Sequence, residues 1–231
     1  MRLDRTDGVL LDMDGTLLDT ETIYHASTMA TMQMLGYADA GDICHAMIGV
    51  PGVQCEAMLV ERYGTSFPVS DFTEAFSLHS GKLLAEGIPL KPGAGELLDA
   101  LTAAQCPRAI VTSSGRRTAE RHLSLAGIRS HFDVIVSNDD VRRGKPAPDL
   151  YLLAAERLGL DPERCLAIED SNPGVTAAHA AGVPAIMVPD ILAPKAEVRA
   201  MCTAILPDLT AVLALLRGSG ILPDATVPAS V

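Results

Sequence analysis

Five short apolar runs, at 9–11, 109–111, 134–136, 165–168 and 185–188, constrain this chain more than any other feature. None alternates with polar residues. Each therefore predicts a strand covered on both faces, as parallel strands are. Helical windows lie between and after them, near 93–105, 115–127, 148–159, 173–182 and 194–201. Asn172-Pro173 reads as a helix start, and Gly127, Gly159 and Gly182 stand where helix ends fall. Strand–helix alternation of this kind predicts an α/β fold built on an open, doubly wound parallel sheet.

Residues 20–89 break the rhythm. They read as helices only, at 20–34, 40–48, 52–63 and 70–86, punctuated by Gly36, Gly49-Val50-Pro51-Gly52 and Gly64. The expected organisation is a core of residues 1–19 and 90–231 with an all-helical cap, 20–89, inserted after the first strand. A chain of 231 residues suits one domain with a smaller one set into it. Ligands of open α/β sheets bind outside the carboxyl ends of the strands, so an insertion leaving such an end is expected to act as a lid. No internal repeat is evident. The tail from Gly218 is rich in Gly, Pro and small residues and is expected to fray.

Charge narrows the partners. Lys plus Arg is 18 against 29 for Asp plus Glu, a net charge of −11. Phosphate backbones and anionic lipid repel such a chain, which argues against nucleic-acid and membrane partners. Aromatic residues are 3 % with no Trp, too few for base-stacking platforms. Cys44, Cys55, Cys106, Cys165 and Cys202 are odd in number and lack CxxC spacing, so reduced thiols are expected. The first seven residues lack a signal peptide's apolar core, and the charge-free stretch 171–189 holds too many Gly and Pro to be a membrane helix. A cytoplasmic, monomeric protein is expected.

The strand ends carry the chemistry. The first run leads into Asp12-Met13-Asp14-Gly15-Thr16. Side chains at i and i+2 of an extended chain share a face, so both carboxylates converge if the strand continues. They would repel, or share a hard cation with oxygen ligands, Mg²⁺ first among them. A strand end followed by an Asp-Gly turn is the plainer reading. The second run leads into Thr112-Ser113-Ser114-Gly115, an anion cradle or an ordinary helix N-cap. Lys145, held between Gly144 and Pro146 or simply solvated surface, follows the third run, and Glu169-Asp170, acids that need a cation if buried or else an ordinary helix N-terminus, end the fourth. Parallel strands deliver all of these to one rim. The set suits phosphoryl transfer. Like charges at ~4 Å and an effective dielectric of ~20 cost about 4 kcal/mol. A metal ion and a lysine remove that penalty for a carboxylate attacking a phosphate.

Asp12-Met13-Asp14-Gly15-Thr16, Thr112, Lys145 and Glu169-Asp170 resemble the four motifs of the haloacid dehalogenase-like hydrolases. Leu17-Leu18-Asp19-Thr20-Glu21, Gly144 to Asp149 and Glu169-Asp170-Ser171 resemble the branch with a helical cap after the first motif. That branch holds sugar-phosphate phosphatases and β-phosphoglucomutase. The resemblance spans nearly the whole chain and implies a Rossmann-like core. It implies Asp12 as nucleophile and Asp14 as general acid, then base. Thr112 and Lys145 would grip the phosphoryl group, with Ser113 helping. Mg²⁺ would be held by the Asp12 carboxylate, the Asp14 backbone carbonyl and the Asp170 carboxylate, with Glu169 supporting from behind.

The resemblance departs from the mutases in two places. They carry a His ten residues after the acid–base Asp, where this chain has Tyr24, and a cap Arg where it has Gly52. The only bases of region 20–89 are Arg62 and Lys82, against eight acids. Such a cap disfavours a second phosphate. The expected partner is a small phosphorylated metabolite, and the expected activity is Mg²⁺-dependent hydrolysis of a sugar or polyol monophosphate through an aspartyl-phosphate. A phosphosugar mutase is the alternative within the resemblance, and a phosphorylatable receiver-like switch the alternative outside it. Tyr24, His25, His79 and Lys82 are the candidate substrate contacts of the cap.

Overall fold

The computed structural model describes residues 5–47, 50 and 52–224. Six strands form one sheet: β1 (Gly8–Leu11), β2 (Arg108–Val111), β3 (Val134–Val136), β4 (Cys165–Glu169), β5 (Ala185–Met187) and β6 (Ala204–Ile205). The order is β3-β2-β1-β4-β5-β6, and every pairing is parallel. The chain builds outward from β1 to β3, then returns to the other side of β1 with β4. The direction of winding thus reverses between β1 and β4, and a doubly wound sheet opens its crevice at such a point.

The five apolar runs are the first five strands. Strands β1 and β4 are buried at every residue, as covering on both faces requires. One face packs Leu10, Val111, Val136 and Ala167 against Leu150, Tyr151, Ala154, Val175 and Ala178. Those partners come from α7 (Asp149–Leu158) and α8 (Asn172–Ala180), helices whose apolar residues recur at helical spacing. On the remaining core helices, α5 (Ala94–Ala103) packs with α10 (Leu209–Gly218), while α6 (Arg116–Leu125) and α9 (Ala196–Arg199) bury Ala119, Leu123 and Val198.

The structure adds two elements that the apolar runs do not mark. Strand β6 has two residues, too short to register as a run. Helix α10 buries Leu209, Val212, Leu213 and Leu216 at helical spacing, and Asp208 caps it by accepting from Ala211 N at 2.8 Å. That helix reaches Gly218, the start of the segment expected to fray; from residue 225 on, that expectation lies outside the described residues.

The chain divides into two compact units, Met1–Leu18 with Leu90–Val231, and Asp19–Pro89. The second is helical: α1 (Thr20–Met34), α2 (Gly41–Ala46), α3 (Gly52–Tyr63) and α4 (Val69–Ala85). Residues 48, 49 and 51, part of the expected Gly/Pro punctuation and of the mutase comparison, fall outside the described residues. Met32, Cys44, Leu59, Phe67 and Phe72 form the core of this unit. Tyr37, Tyr63 and Phe67 cluster beside it at ring distances of 4.5–5.7 Å. All five cysteines are free thiols. Among the described residues, no helix is long and apolar enough to cross a membrane.

Candidate active site

Register fixes the site. Leu11 pairs with Ile110 on one side and with Ile168 on the other. Asp12, the next residue, donates its backbone N–H to Ile168 O at 3.0 Å. The chain stays extended past β1, and Asp12 lies beside the ends of β2 and β4. Its side chain is 10 % exposed.

Lys145 reaches this point from the loop after β3. Its Nζ donates to Asp12 Oδ1 at 2.6 Å, to Val111 O at 2.9 Å and to Glu169 Oε1 at 2.5 Å. All three ammonium protons are then used. The charge also lies 5.4 Å from the centre of the Tyr151 ring. Burial by itself would drive the proton off this lysine. The facing carboxylates of Asp12 and Glu169 outweigh burial and hold its pKa above the ordinary lysine value.

Glu169 is fully buried. Its Oε1 accepts from Lys145 and from Tyr151 Oη at 3.0 Å, and its Oε2 accepts from Asp170 N, Ser171 N and Ser171 Oγ at 2.9–3.1 Å. Ser171 is the N-cap of α8, so the carboxylate sits at the positive end of that helix. Both oxygens are occupied by protein donors. Glu169 is therefore suited to anchoring Lys145 rather than to binding a ligand directly.

Asp12, Glu169 and Asp170 offer oxygens that all lie within 4.8 Å of one another. Burial pushes Asp12 up to about 7, and the charges of Glu169 and Asp14 add to the shift while Lys145 opposes it. Burial, then Asp12 and Glu169, likewise raise Asp170 well above the carboxylate range, against Lys145 and the hydrogen bond from Thr16. One ammonium thus faces three carboxylates.

Gly15 marks the same place from the backbone. It has φ +83°, and a Cβ on it would lie 2.5 Å from Asp170 Oδ2 and 3.3 Å from Asp190 Oδ2. Asp190 Oδ1 accepts from Lys91 Nζ at 2.6 Å, whereas its buried Oδ2 has no hydrogen-bond partner. Hard oxygen donors, excess negative charge and an orphaned buried oxygen together fit a hard divalent cation such as Mg²⁺.

Asp14 points elsewhere. Its Oδ2 accepts from Ser114 Oγ at 2.7 Å, and its Oδ1 lies 3.3 Å from His122 Nδ1. Ser114 is fixed in turn, its N–H donating to Thr112 Oγ1 at 3.0 Å. Thr112 is buried and Ser113 exposed at the mouth of β2. Asp12, Asp14, Thr112, Lys145, Glu169 and Asp170 therefore come from four strand ends to one rim. Ser114, His122, Tyr151, Lys91 and Asp190 join them without having been foreseen. His122 has a readable signal: it shares the buried face of α6 with Ala119 and Leu123, where a polar ring needs a partner.

The four cap candidates lie in the helical unit. Half-buried Tyr24 packs on Phe76, with ring centres 6.0 Å apart. His79 Nδ1 pairs with Thr31 Oγ1 at 3.0 Å, joining α4 to α1. His25 is half-buried and Lys82 exposed.

A parallel sheet with paired acids, threonine, lysine and a late acidic couple at its carboxyl rim defines a phosphoryl-transfer class of enzyme. The family model of the haloacid dehalogenase-like hydrolases matches residues 9–188, and the chain belongs to that family. It is 32 % identical over 177 residues to a phosphorylated carbohydrates phosphatase of Thermotoga maritima, covering 77 % of this chain and 82 % of that protein. Among solved structures, a family hydrolase from Deinococcus radiodurans R1 with bound phosphate and sodium is 31 % identical with a TM-score of 0.81, over 95 % of this chain and 99 % of that one. A candidate β-phosphoglucomutase from Thermotoga maritima is 29 % identical, also with a TM-score of 0.81, over 92 % and 99 %.

Proposed function

We propose that this chain is a Mg²⁺-dependent phosphatase of small sugar or polyol monophosphates. The observation that carries the reading is the Asp12–Lys145–Glu169 constellation beside Asp170, in a family whose matched relative hydrolyses phosphorylated carbohydrates. Asp12 is the nucleophile. Its Oδ2 accepts none of the hydrogen bonds that fix Oδ1, and it attacks phosphorus as the P–O bond to the alcohol breaks. Asp14, as the carboxylic acid, gives its proton to the departing alkoxide oxygen. The carboxylate so formed then takes a proton from the water that attacks the aspartyl-phosphate, releasing inorganic phosphate and restoring Asp12.

Thr112 holds the phosphoryl oxygens, with Ser113 at the exposed mouth of the same turn, and Lys145 joins them by turning its Asp12 bond toward the phosphoryl group. Lys145 also opposes the burial that raises the Asp12 pKa. Asp12, Asp170 and the backbone carbonyl of Asp14 would hold Mg²⁺, which when bound supplies neutralisation of the phosphate charge. Glu169 fixes Lys145. Region 20–89 is the substrate-selecting cap, with Tyr24, His25, His79 and Lys82 as its candidate contacts.

A mutase reading draws support from the candidate β-phosphoglucomutase of the same fold. Tyr24 and Gly52, which stand where the mutase pattern has His and Arg, favour the phosphatase, as do the two bases against eight acids of region 20–89, which disfavour the second phosphate group of a bisphosphate. The test is a panel of sugar and polyol phosphates with Mg²⁺. Stoichiometric release of inorganic phosphate, lost in Asp12→Asn, is the expected result. Isomerised sugar phosphate without free phosphate would replace the phosphatase with the mutase.

A further inference from the structure

We propose that His122 is a positioning residue for the acid–base carboxylate of Asp14, and that it sets how well the enzyme handles poor leaving groups. The inference rests on the phosphatase reading above and extends it to a residue outside the motif set.

His122 is 2 % exposed, on the last turn of α6, and its Nδ1 faces Asp14 Oδ1 at 3.3 Å. Ser114 Oγ faces the other oxygen at 2.7 Å. An ionised carboxylate only accepts, so Nδ1 carries the proton in that state and donates to Oδ1. One donor on each oxygen resists rotation about the Cβ–Cγ bond and so fixes the plane of the carboxyl group. The Asp14 side chain is 21 % exposed, so one side remains open to solvent and substrate.

The arrangement has a reason beyond packing. A general acid works only within hydrogen-bond reach of the leaving oxygen, and correct placement of such a group contributes ~10²–10⁴-fold. Ser114 holds Asp14 through one carboxylate oxygen only. His122 supplies the second point of attachment from a different element. It anchors Asp14 to α6, whereas Ser114 anchors it to the turn after β2. A carboxylic acid tied to two elements keeps its place while the phosphoryl group passes to Asp12. His122 contacts the site at Asp14, and its effect runs through that carboxyl group.

The consequence depends on the substrate. An alkyl alkoxide must be protonated as it leaves, whereas p-nitrophenolate departs without help. Misplacing Asp14 therefore slows cleavage of an alkyl ester more than cleavage of an aryl one. Simple disruption of the fold slows both alike, since misfolded molecules are lost to both reactions equally.

The experiment compares kcat/KM on p-nitrophenyl phosphate with kcat/KM on the best alkyl ester of the sugar and polyol panel, because kcat/KM reports formation of the aspartyl-phosphate, where the leaving groups differ, and not its hydrolysis, which both esters share. The proteins are the wild type, His122→Leu and His122→Asn. The amide nitrogen of asparagine falls near the place of Nδ1. In His122→Leu the alkyl rate is expected to fall at least ~10-fold further than the aryl rate, within the range for general acid catalysis. In His122→Asn most of that difference is recovered. Equal losses on the two esters in His122→Leu, or no recovery in His122→Asn, overturn the positioning role. A wild type that releases phosphate from neither ester overturns the phosphatase reading instead, so the two failures are distinct.

Discussion

Gly174 lies against Glu169 so closely that a Cβ on it would fall 1.8–2.1 Å from the carboxylate atoms. The contact explains why a helix begins with so small a residue. Glu169 folds back from the end of β4 beneath the first turn of α8, where Asp170 N, Ser171 N and Ser171 Oγ donate to it. There is no room beside it for a side chain. Gly174→Ala must displace a buried, fully bonded carboxylate. Overpacking of this kind costs about 1–3 kcal/mol. Urea denaturation is expected to show a loss in that range, and the variant is expected to lose phosphatase activity because Lys145 loses its anchor. An unchanged denaturation midpoint would mean that Glu169 has another seat.

Lys145 is the cation of a buried trio, with its side chain 4 % exposed between Asp12 and Glu169. Lys145→Met fills similar volume and leaves two carboxylates without their counter-charge. Removing one partner of a buried pair typically costs about 3–5 kcal/mol, more than the pair itself contributes. Denaturation in the absence of metal is expected to show that loss, and phosphate release is expected to fall by at least ~100-fold, as for a lost oxyanion donor. A stability change below about 1 kcal/mol would show the two carboxylates to be protonated or solvated instead.

What could be read in the sequence follows from what lies near in the chain. Asp12, Glu169 and Asp170 stand directly after apolar runs, and buried parallel strands carry such residues to one rim by construction. Lys145, between Gly144 and Pro146, reads by itself as solvated surface, and the resemblance to the hydrolase motifs is what points to it. The pairing of Lys91 with Asp190 joins residues 99 positions apart, and no periodicity predicts it. His122 sits on the apolar face of an otherwise strongly polar helix, where the histidine signals that a partner is needed without naming it. Ser114 and Ser113 are equivalent in the sequence. Only the turn after Val111, with Ser114 N bound to Thr112 Oγ1, points one toward Asp14 and leaves the other exposed. Leu209, Val212, Leu213 and Leu216 of helix α10 do recur at helical spacing, but Ala211, Ala214 and Leu215 between them blur the face.

Asp170 tests the metal reading without an assay of turnover. Its Oδ1 accepts from Thr16 Oγ1 at 3.1 Å, and its Oδ2 lies by Gly15 near the orphaned oxygen of Asp190. Mg²⁺ is expected to raise the melting temperature of the wild type and EDTA to reverse it. At a concentration 100-fold above Kd the gain is about 2.7 kcal/mol. Asp170→Asn retains an Oδ1 acceptor for Thr16 and removes a charge that Asp12 and Glu169 oppose. Without metal it is expected to be at least as stable as the wild type, and with metal it is expected to gain little. A full Mg²⁺ shift in Asp170→Asn would remove Asp170 from the ligand set.

Asp140 governs the acid limb of stability from outside the rim. It belongs to the short helical turn Asn138–Asp140 after β3. Burial alone would raise its pKa. Its Oδ2 accepts from Ser137 N at 2.8 Å and Ser137 Oγ at 2.7 Å, and Arg116 and Arg157 add charged donors at 2.7 and 2.9 Å. These outweigh burial and hold the carboxyl well below its ordinary value of 3.8. The unfolded chain therefore binds this proton at a higher pH than the folded one does. The stabilisation is complete above about pH 5, where both states are ionised, and is lost as pH falls from there through the folded value. Asp140→Asn keeps the shape but weakens four charge-assisted bonds. It is expected to cost about 2 kcal/mol or more at pH 7, since bonds to charged groups contribute about 1.5–3 kcal/mol each before compensation. The difference between the two proteins should then shrink as denaturation is repeated from pH 4 down toward pH 2. A difference that stays constant over that interval would mean that Asp140 acts through shape alone and its charge contributes nothing to the fold.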